Sequence, residues 1–313
     1  MRTFLREYCL PALLLAATAV TTTANGARFM QNFLEGLPPV VRDSDLWPWG
    51  WLHDHPGLFA SGFAFSLTLL GILLVHELGH YFACRAHRID ATLPWLLPAP
   101  TLSGTMGAVI RIRSRIPGRN ALMDLGIYGP LAGYAASVLA IAAGFLLSGS
   151  SPARAYSSHD TISIVRFGGQ PLTIRAIHHV LLHWSPHLPS FEVLAPHPVL
   201  IAGWIGLFIT ALNLIPGGQL DGGHILFAIS PRLHRFSTRL LPIALILAGL
   251  YCWAGWALWG LILLIPAMRH PRVPVEAPLS PIRIALGIAG LALLLLTFTP
   301  TPFYDSSLLK LLR

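Results

Sequence analysis

Two histidines and a glutamate stand together inside one apolar stretch, as His76-Glu77-Leu78-Gly79-His80. On a helix, positions four residues apart share a face, so both imidazoles reach one metal ion. Two imidazoles and a carboxylate suit zinc and leave a fourth position for water, whose pKa the metal lowers to about 7. Glu77, adjacent to His76, is placed to take a proton from that water. The alternative is a helix with polar residues facing a packed bundle. Three ionisable groups in one apolar turn are costly without a partner, which favours the metal.

The third ligand must come from elsewhere in the chain. Asp221 is the best candidate, because it is the only acidic residue between Glu192 and Glu276. It sits in the segment Asn213-Leu214-Ile215-Pro216-Gly217-Gly218-Gln219-Leu220-Asp221-Gly222-Gly223-His224, whose Pro and Gly residues break a helix inside an apolar stretch. Irregular backbone at membrane depth is tolerated only where it is buried in protein or lines a wet cavity. The competing role for Asp221 is a helix cap ahead of Ile225-Leu226-Phe227. His224 could also face the metal, but an outer-shell or structural role is the preferred reading. The Asn213 amide can hydrogen-bond an unwound peptide where water is scarce, or satisfy backbone at a helix end.

The elements that position these residues follow from composition. Of 313 residues, 54% are apolar and only 11% charged, against about a quarter charged in soluble domains. With a mean hydropathy of +0.63, the chain reads as a polytopic membrane protein. Intrinsic disorder, a secreted disulfide scaffold and a coiled coil are excluded. The net charge of +8 is nearly all arginine, with Lys310 the sole lysine. In so apolar a chain this balance points to membrane orientation rather than nucleic acid. Cys9, Cys84 and Cys252 form no disulfide framework.

The apolar runs set the order. A short first run, about Cys9 to Ala24, is either a signal peptide or a retained helix, and the retained helix is preferred. A polar loop over about 25–56 follows it. The motif run extends from about Leu58 to Ala83. Within the arginine-rich stretch after it, Gly104 to Arg113 reads as a strand with one wet face, from the alternation of Ile110 and Ile112 with Arg111 and Arg113. Ala121 to Leu147 is rich in Gly and Ala, and Gly126, Gly129 and Gly133 permit close helix approach. The polar segment 148–197 is not assigned as a folded domain, and its histidines His178, His179, His183 and His187 read as a solvated loop. Pro198 to Leu214 leads into the broken segment. Leu240 to Met268 is one tilted helix or a pair of short ones, and Ile284 to Leu296 is the last run.

The chain resembles the site-2 protease family of intramembrane zinc metalloproteases. The residues that carry the resemblance are His76-Glu77-Leu78-Gly79-His80 and Asn213-Leu214-Ile215-Pro216 through Leu220-Asp221-Gly222-Gly223, supported by Gly104 to Ile110 and by Gly129-Pro130-Leu131-Ala132-Gly133. The resemblance implies that His76, His80 and Asp221 bind one Zn2+ per chain and that Glu77 is the catalytic base. It implies that Asn213 positions or polarises the peptide. It also implies a site near the cytoplasmic face, with which Arg85 and Arg88 agree. The expected form is compact, without an inserted PDZ domain or an appended nucleotide-sensing module.

The expected fold is therefore an all-α polytopic membrane protein, with about six transmembrane segments and a short membrane-associated β element after the motif helix. Residues 1–56 would form an N-terminal membrane segment and polar loop, 57–230 the catalytic core, and 231–313 the C-terminal transmembrane segments. The substrate would be a transmembrane or membrane-anchored protein, cleaved in an extended form. The strand edge is a candidate for β-addition, and Gly104, Thr105 and Gly107 are the substrate-binding candidates there. The lipid bilayer is the other partner. No nucleic acid is expected, and nothing in the sequence sets the oligomeric state. The expected location is the bacterial inner membrane. Two rival classes fit less well. A di-iron hydroxylase would leave Glu77 and Asp221 unexplained, and a transporter or inactive receptor would not need the complete set.

Overall fold

The computed structural model describes residues 5–40, 43–148, 169–189, 191, 194–271, 273–275, 277–303 and 306–312. The architecture is helical, with one two-stranded sheet. Among the described residues, four helical stretches are long and apolar enough to cross a membrane: Glu7–Leu34, Pro56–Ala86, Arg119–Ser148 and Pro231–Tyr251. Three apolar helices are shorter, Pro198–Asn213, Ala254–Leu264 and Pro281–Thr297. The chain is thus a multi-pass membrane protein that combines long spans with shorter apolar helices.

Helix α1 (Leu10–Leu34) runs through the stretch expected to be a polar loop after Ala24. It continues because its polar residues find partners on other segments. The Asn25 amide donates to the carbonyls of Thr101 (2.7 Å) and Leu102 (2.9 Å). Arg28 is buried, ion-paired with Asp45, and lies over the Trp51 ring at 4.4 Å. The threonine run is compatible with a span because Thr18 and Thr22 donate back to the carbonyls of Leu14 and Thr18, which satisfies their hydroxyls within the helix.

Helix α2 (Phe63–Ala86) carries the motif. After it, β1 (Trp95–Pro98) and β2 (Thr105–Val109) form an antiparallel hairpin with Trp95 opposite Val109 and Leu96 opposite Ala108. The strand is shorter than the sequence alternation suggested. A bulge lies between Leu96 and Pro98, and pairing beyond Val109 continues only through an isolated bridge from Ala91 to Ile112. The hairpin turn is seated on α1, where the Thr21 hydroxyl donates to the Gly104 carbonyl at 2.6 Å.

Helix α3 (Arg119–Ser148) packs along α2. Of segment 148–197, residues 149–168 lie outside those described. The remainder holds an amphipathic helix, α4 (Leu172–Trp184), where a solvated histidine loop was expected. His178 on it is buried and bonded to the Pro189 carbonyl at 3.0 Å. Helix α5 (Pro198–Asn213) ends at the break, and α6 (Asp221–Ile229) begins after it. The run 240–268 resolves into two helices, α7 (Pro231–Tyr251) and α8 (Ala254–Leu264). Helix α9 (Pro281–Thr297) follows. The starts of α5, α7 and α9 share one logic: a capping side chain (His197, Ser230, Ser280) accepts from the first turn, and a proline follows at once. The core lies among α1, α2, α3 and α5, around Phe65, Leu69, Ile141, Phe145 and Leu207.

Candidate metal centre

His76 and His80 project from one face of α2, and both are buried. Their Nε2 atoms are 3.1 Å apart. The His80 Nδ1–H donates to the Leu125 carbonyl at 2.7 Å, so its Nε2 presents a lone pair to the site. Asp221 brings a carboxylate oxygen to 3.4 Å from His76 Nε2 and 3.3 Å from His80 Nε2. The three ligand atoms all lie within 4.8 Å of one another. Zinc bonds of about 2.0–2.1 Å give a tetrahedron with edges of about 3.3–3.4 Å. Donor types and spacings therefore fit one tetrahedral zinc ion with a position left open.

Close packing of α3 on α2 sets this face. A Cβ at Gly129 would overlap the His80 ring, and one at Gly133 would lie 2.7 Å from His76 Nδ1. Both positions need glycine for the helices to approach at this distance.

Asp221 is the first residue of α6, and the broken segment before it is held by neighbouring elements. The Gly218 carbonyl accepts from His234 Nε2 at 3.1 Å, and the Gln219 amide donates to the Arg269 carbonyl at 2.7 Å. Gly218 has a φ of +57°, a conformation glycine adopts without strain. A Cβ at Gly222 would overlap the Leu214 carbonyl, so the chain folds back on itself there. Arg119 secures the far end of α6 by donating to the carbonyls of Ala228 and Ile229, both at 2.8 Å.

Glu77 is buried beside the triad, with the Ile110 backbone N–H within hydrogen-bonding reach of its carboxylate. Asn213, the last residue of α5, places Nδ2 3.2 Å from His76 Nε2. The structure thus brings His76, Glu77, His80, Asn213 and Asp221 together. Gly104 and Thr105 lie at the hairpin turn instead, where Thr105 Oγ1 donates to the Leu97 carbonyl at 2.8 Å. Gly107 follows on β2 with a φ of +102° and open space where a Cβ would stand. Sequence reasoning passed over Ile110 as a contributor to the site. It also passed over His270, whose Nε2 is 3.0 Å from His224 Nδ1. Burial and the facing His224 imidazole push the His270 pKa down to about 3. A lone loop histidine gives no sequence signal for such a contact.

A helical membrane protein that presents a buried His-Glu-x-x-His helix and a distant aspartate to one point has the frame of a membrane metallopeptidase. Residues 64–249 match the profile of peptidase family M50. That is more than half of the chain, and the chain belongs to this family, the site-2 proteases. It is 32% identical over 243 residues to "Probable zinc metalloprotease EGY1, chloroplastic" of Arabidopsis thaliana, covering 76% of this chain and 42% of that protein. It is 34% identical over 235 residues to the protein of the same name from Oryza sativa subsp. japonica, covering 74% and 39%. It is 29% identical over 278 residues to "Probable zinc metalloprotease EGY2, chloroplastic" of Arabidopsis thaliana, covering 87% and 47%. The chain spans less than half the length of these curated relatives. No solved structure matches it at a significant level.

Proposed function

We propose that this chain is an intramembrane zinc metalloprotease that hydrolyses peptide bonds of transmembrane or membrane-anchored proteins. The observation that carries the reading is the convergence of His76, His80 and Asp221 within 4.8 Å, beside a buried Glu77. One zinc ion held by those three residues would polarise the scissile carbonyl and acidify a water molecule. Glu77 takes the proton of the attacking water and returns it to the leaving nitrogen. Asn213 Nδ2, so close to His76, donates a hydrogen bond to a peptide carbonyl in the site and fixes its orientation. His80 is kept in the ligating tautomer by the Leu125 carbonyl.

The substrate enters extended, because a helix keeps its carbonyls in its own hydrogen bonds. The edge of β2 that faces away from β1 is the candidate for it. Beyond β2, the Thr92 N–H donates to the Arg111 carbonyl (3.0 Å) and the Arg113 N–H to the Asp90 carbonyl (2.8 Å). Strand alternation then turns the Ile110 groups outward, towards Glu77. A peptide added along this edge passes over Glu77, with the open position at Gly107 next along its path and Gly104 and Thr105 at the far end. The Arg85 and Arg88 end of α2 is nearest the triad, which favours a site on the cytoplasmic side of a bacterial inner membrane. Residues 57–230 form the catalytic unit, between the N-terminal segment 1–56 and the C-terminal helices 231–313.

The test is cleavage of a transmembrane peptide by the detergent-purified full chain, wild type beside Glu77→Gln, with zinc measured on both. The wild type is expected to cleave. Glu77→Gln is expected to lose at least about 10²-fold in rate, the lower end of a proton-transfer contribution, while still holding its zinc. Undiminished cleavage by Glu77→Gln would overturn the assignment of the base.

A further inference from the structure

A second group of imidazoles lies beside the triad and takes no part in the chemistry above. His224 is one helical turn beyond Asp221 on α6, His234 is on α7, and His270 is in the loop after α8. His224 Nδ1 and His270 Nε2 are 3.0 Å apart. The rings of His234 and His270 have centroids 4.8 Å apart.

Two of the three rings, His270 and His234, are anchored from outside the group. His270 Nδ1 is 2.8 Å from the Pro271 carbonyl, which can only accept, so its proton is on Nδ1 and its Nε2 bears a lone pair. Phe227 stacks on His270 at 4.1 Å and 9°, which fixes the plane of the ring. His234 Nε2 donates to the Gly218 carbonyl, leaving Nδ1 as its lone pair. A metal-ligating histidine characteristically has its other nitrogen committed to a carbonyl in this way, as His80 does in the triad. The nitrogen spacing points the same way, since 3.0 Å is close to the 3.1 Å between His76 and His80. The simpler account is an N–H···N bond from His224 to His270, which needs no ion.

We infer that His224 Nδ1 and His270 Nε2 form a second position for a divalent transition metal of the zinc class, with His234 the nearest further imidazole and water completing the coordination. On metal entry the His224 proton moves from Nδ1 to Nε2. Both imidazoles then bind as neutral ligands and no net proton is released. Having no carboxylate, this position is weaker than the triad and fills after it.

The experiment is a zinc titration of the metal-stripped full chain in detergent, with bound metal measured by equilibrium dialysis. The wild type is expected to take up one tight equivalent and then a weaker one. His270→Ala and His270→Gln are both expected to keep the tight equivalent and to bind one fewer of the weaker. Zinc held by the remaining histidines is common to all three proteins and cancels. Identical titrations would leave only the hydrogen bond and overturn the site. So would retention of the weaker equivalent in His270→Gln, or loss of the tight one together with the weaker, which would make His270 a support of the triad. The readout involves no cleavage. Glu77→Gln is expected to titrate like the wild type even if the chain proves to cleave nothing, so the two readings fail separately.

Discussion

The histidines and the aspartate meet at one point but are held there by different means. His76 and His80 ride on α2, a regular helix of 24 residues whose backbone bonds are internal. Their spacing follows from the helical repeat and would survive much rearrangement around them. Asp221 follows a break, and its place depends on α7, on the loop after α8 and on the contact of Gly222 with the Leu214 carbonyl. Two of the three proposed ligands are thus placed by a local property of one helix. The placement of the third is a property of the whole assembly, and it is the part most exposed to remote change.

The largest effect should come from breaking the triad on either side of this divide. His80→Ala and Asp221→Ala are each expected to weaken zinc binding by more than the roughly 10–100-fold typical of losing an outer-shell partner, and to abolish cleavage. Because both groups contact one point, the two losses should be similar despite their different supports. Zinc affinity at the wild-type level in Asp221→Ala would leave the ion on the histidines alone and remove the aspartate from the ligand set.

The two supports separate in a second pair of substitutions. Gly222→Ala places a methyl group against the backbone carbonyl of Leu214, which has no rotamer to escape into. Overpacking of this kind costs about 1–3 kcal/mol, and α6 must shift with Asp221 upon it. Gly133→Ala meets a side chain instead, the His76 ring. It should disturb zinc binding with the smaller loss of thermal stability. Unfolding midpoints and zinc content of the two purified variants check this. A larger midpoint drop in Gly133→Ala would reverse the ranking and make the α2–α3 contact the less tolerant of the two.

The same divide explains what could be read from the residues alone. The His76–His80 pair, the apolar runs and the glycines that face them are local patterns, and each reappears in the fold. The placement of Asp221 beside the histidines was legible for a different reason, since acidic residues are scarce there and a buried carboxylate needs a partner. The course of α1 through Asn25 and Arg28 was not legible, because the groups that satisfy them, Thr101, Leu102 and Asp45, are distant in sequence. The strand was read in the right place but too long, since its alternation continues where pairing with β1 has ended. Ile110 is an ordinary residue that tertiary packing brings to Glu77, and His270 is one that it brings to His224.

The smallest effect is expected within α2 itself. Gly71 lies on the same helix as the histidines, and among the described residues nothing stands within 4 Å of where its Cβ would be. Gly71→Ala should therefore add helix propensity without a clash, raising stability by up to about 0.5–1 kcal/mol. Zinc content and cleavage should stay at the wild-type level, because His76 is held by Gly133 and by the helical repeat rather than by this face. The measurement is the unfolding midpoint of the zinc-loaded protein beside the wild type. A raised or equal midpoint would confirm that α2 is self-sufficient on this face. A lowered one would mean that the face around Gly71 is covered in the native state by something outside the described residues, such as a second copy. In that case even the two proposed ligands on α2 would depend on assembly.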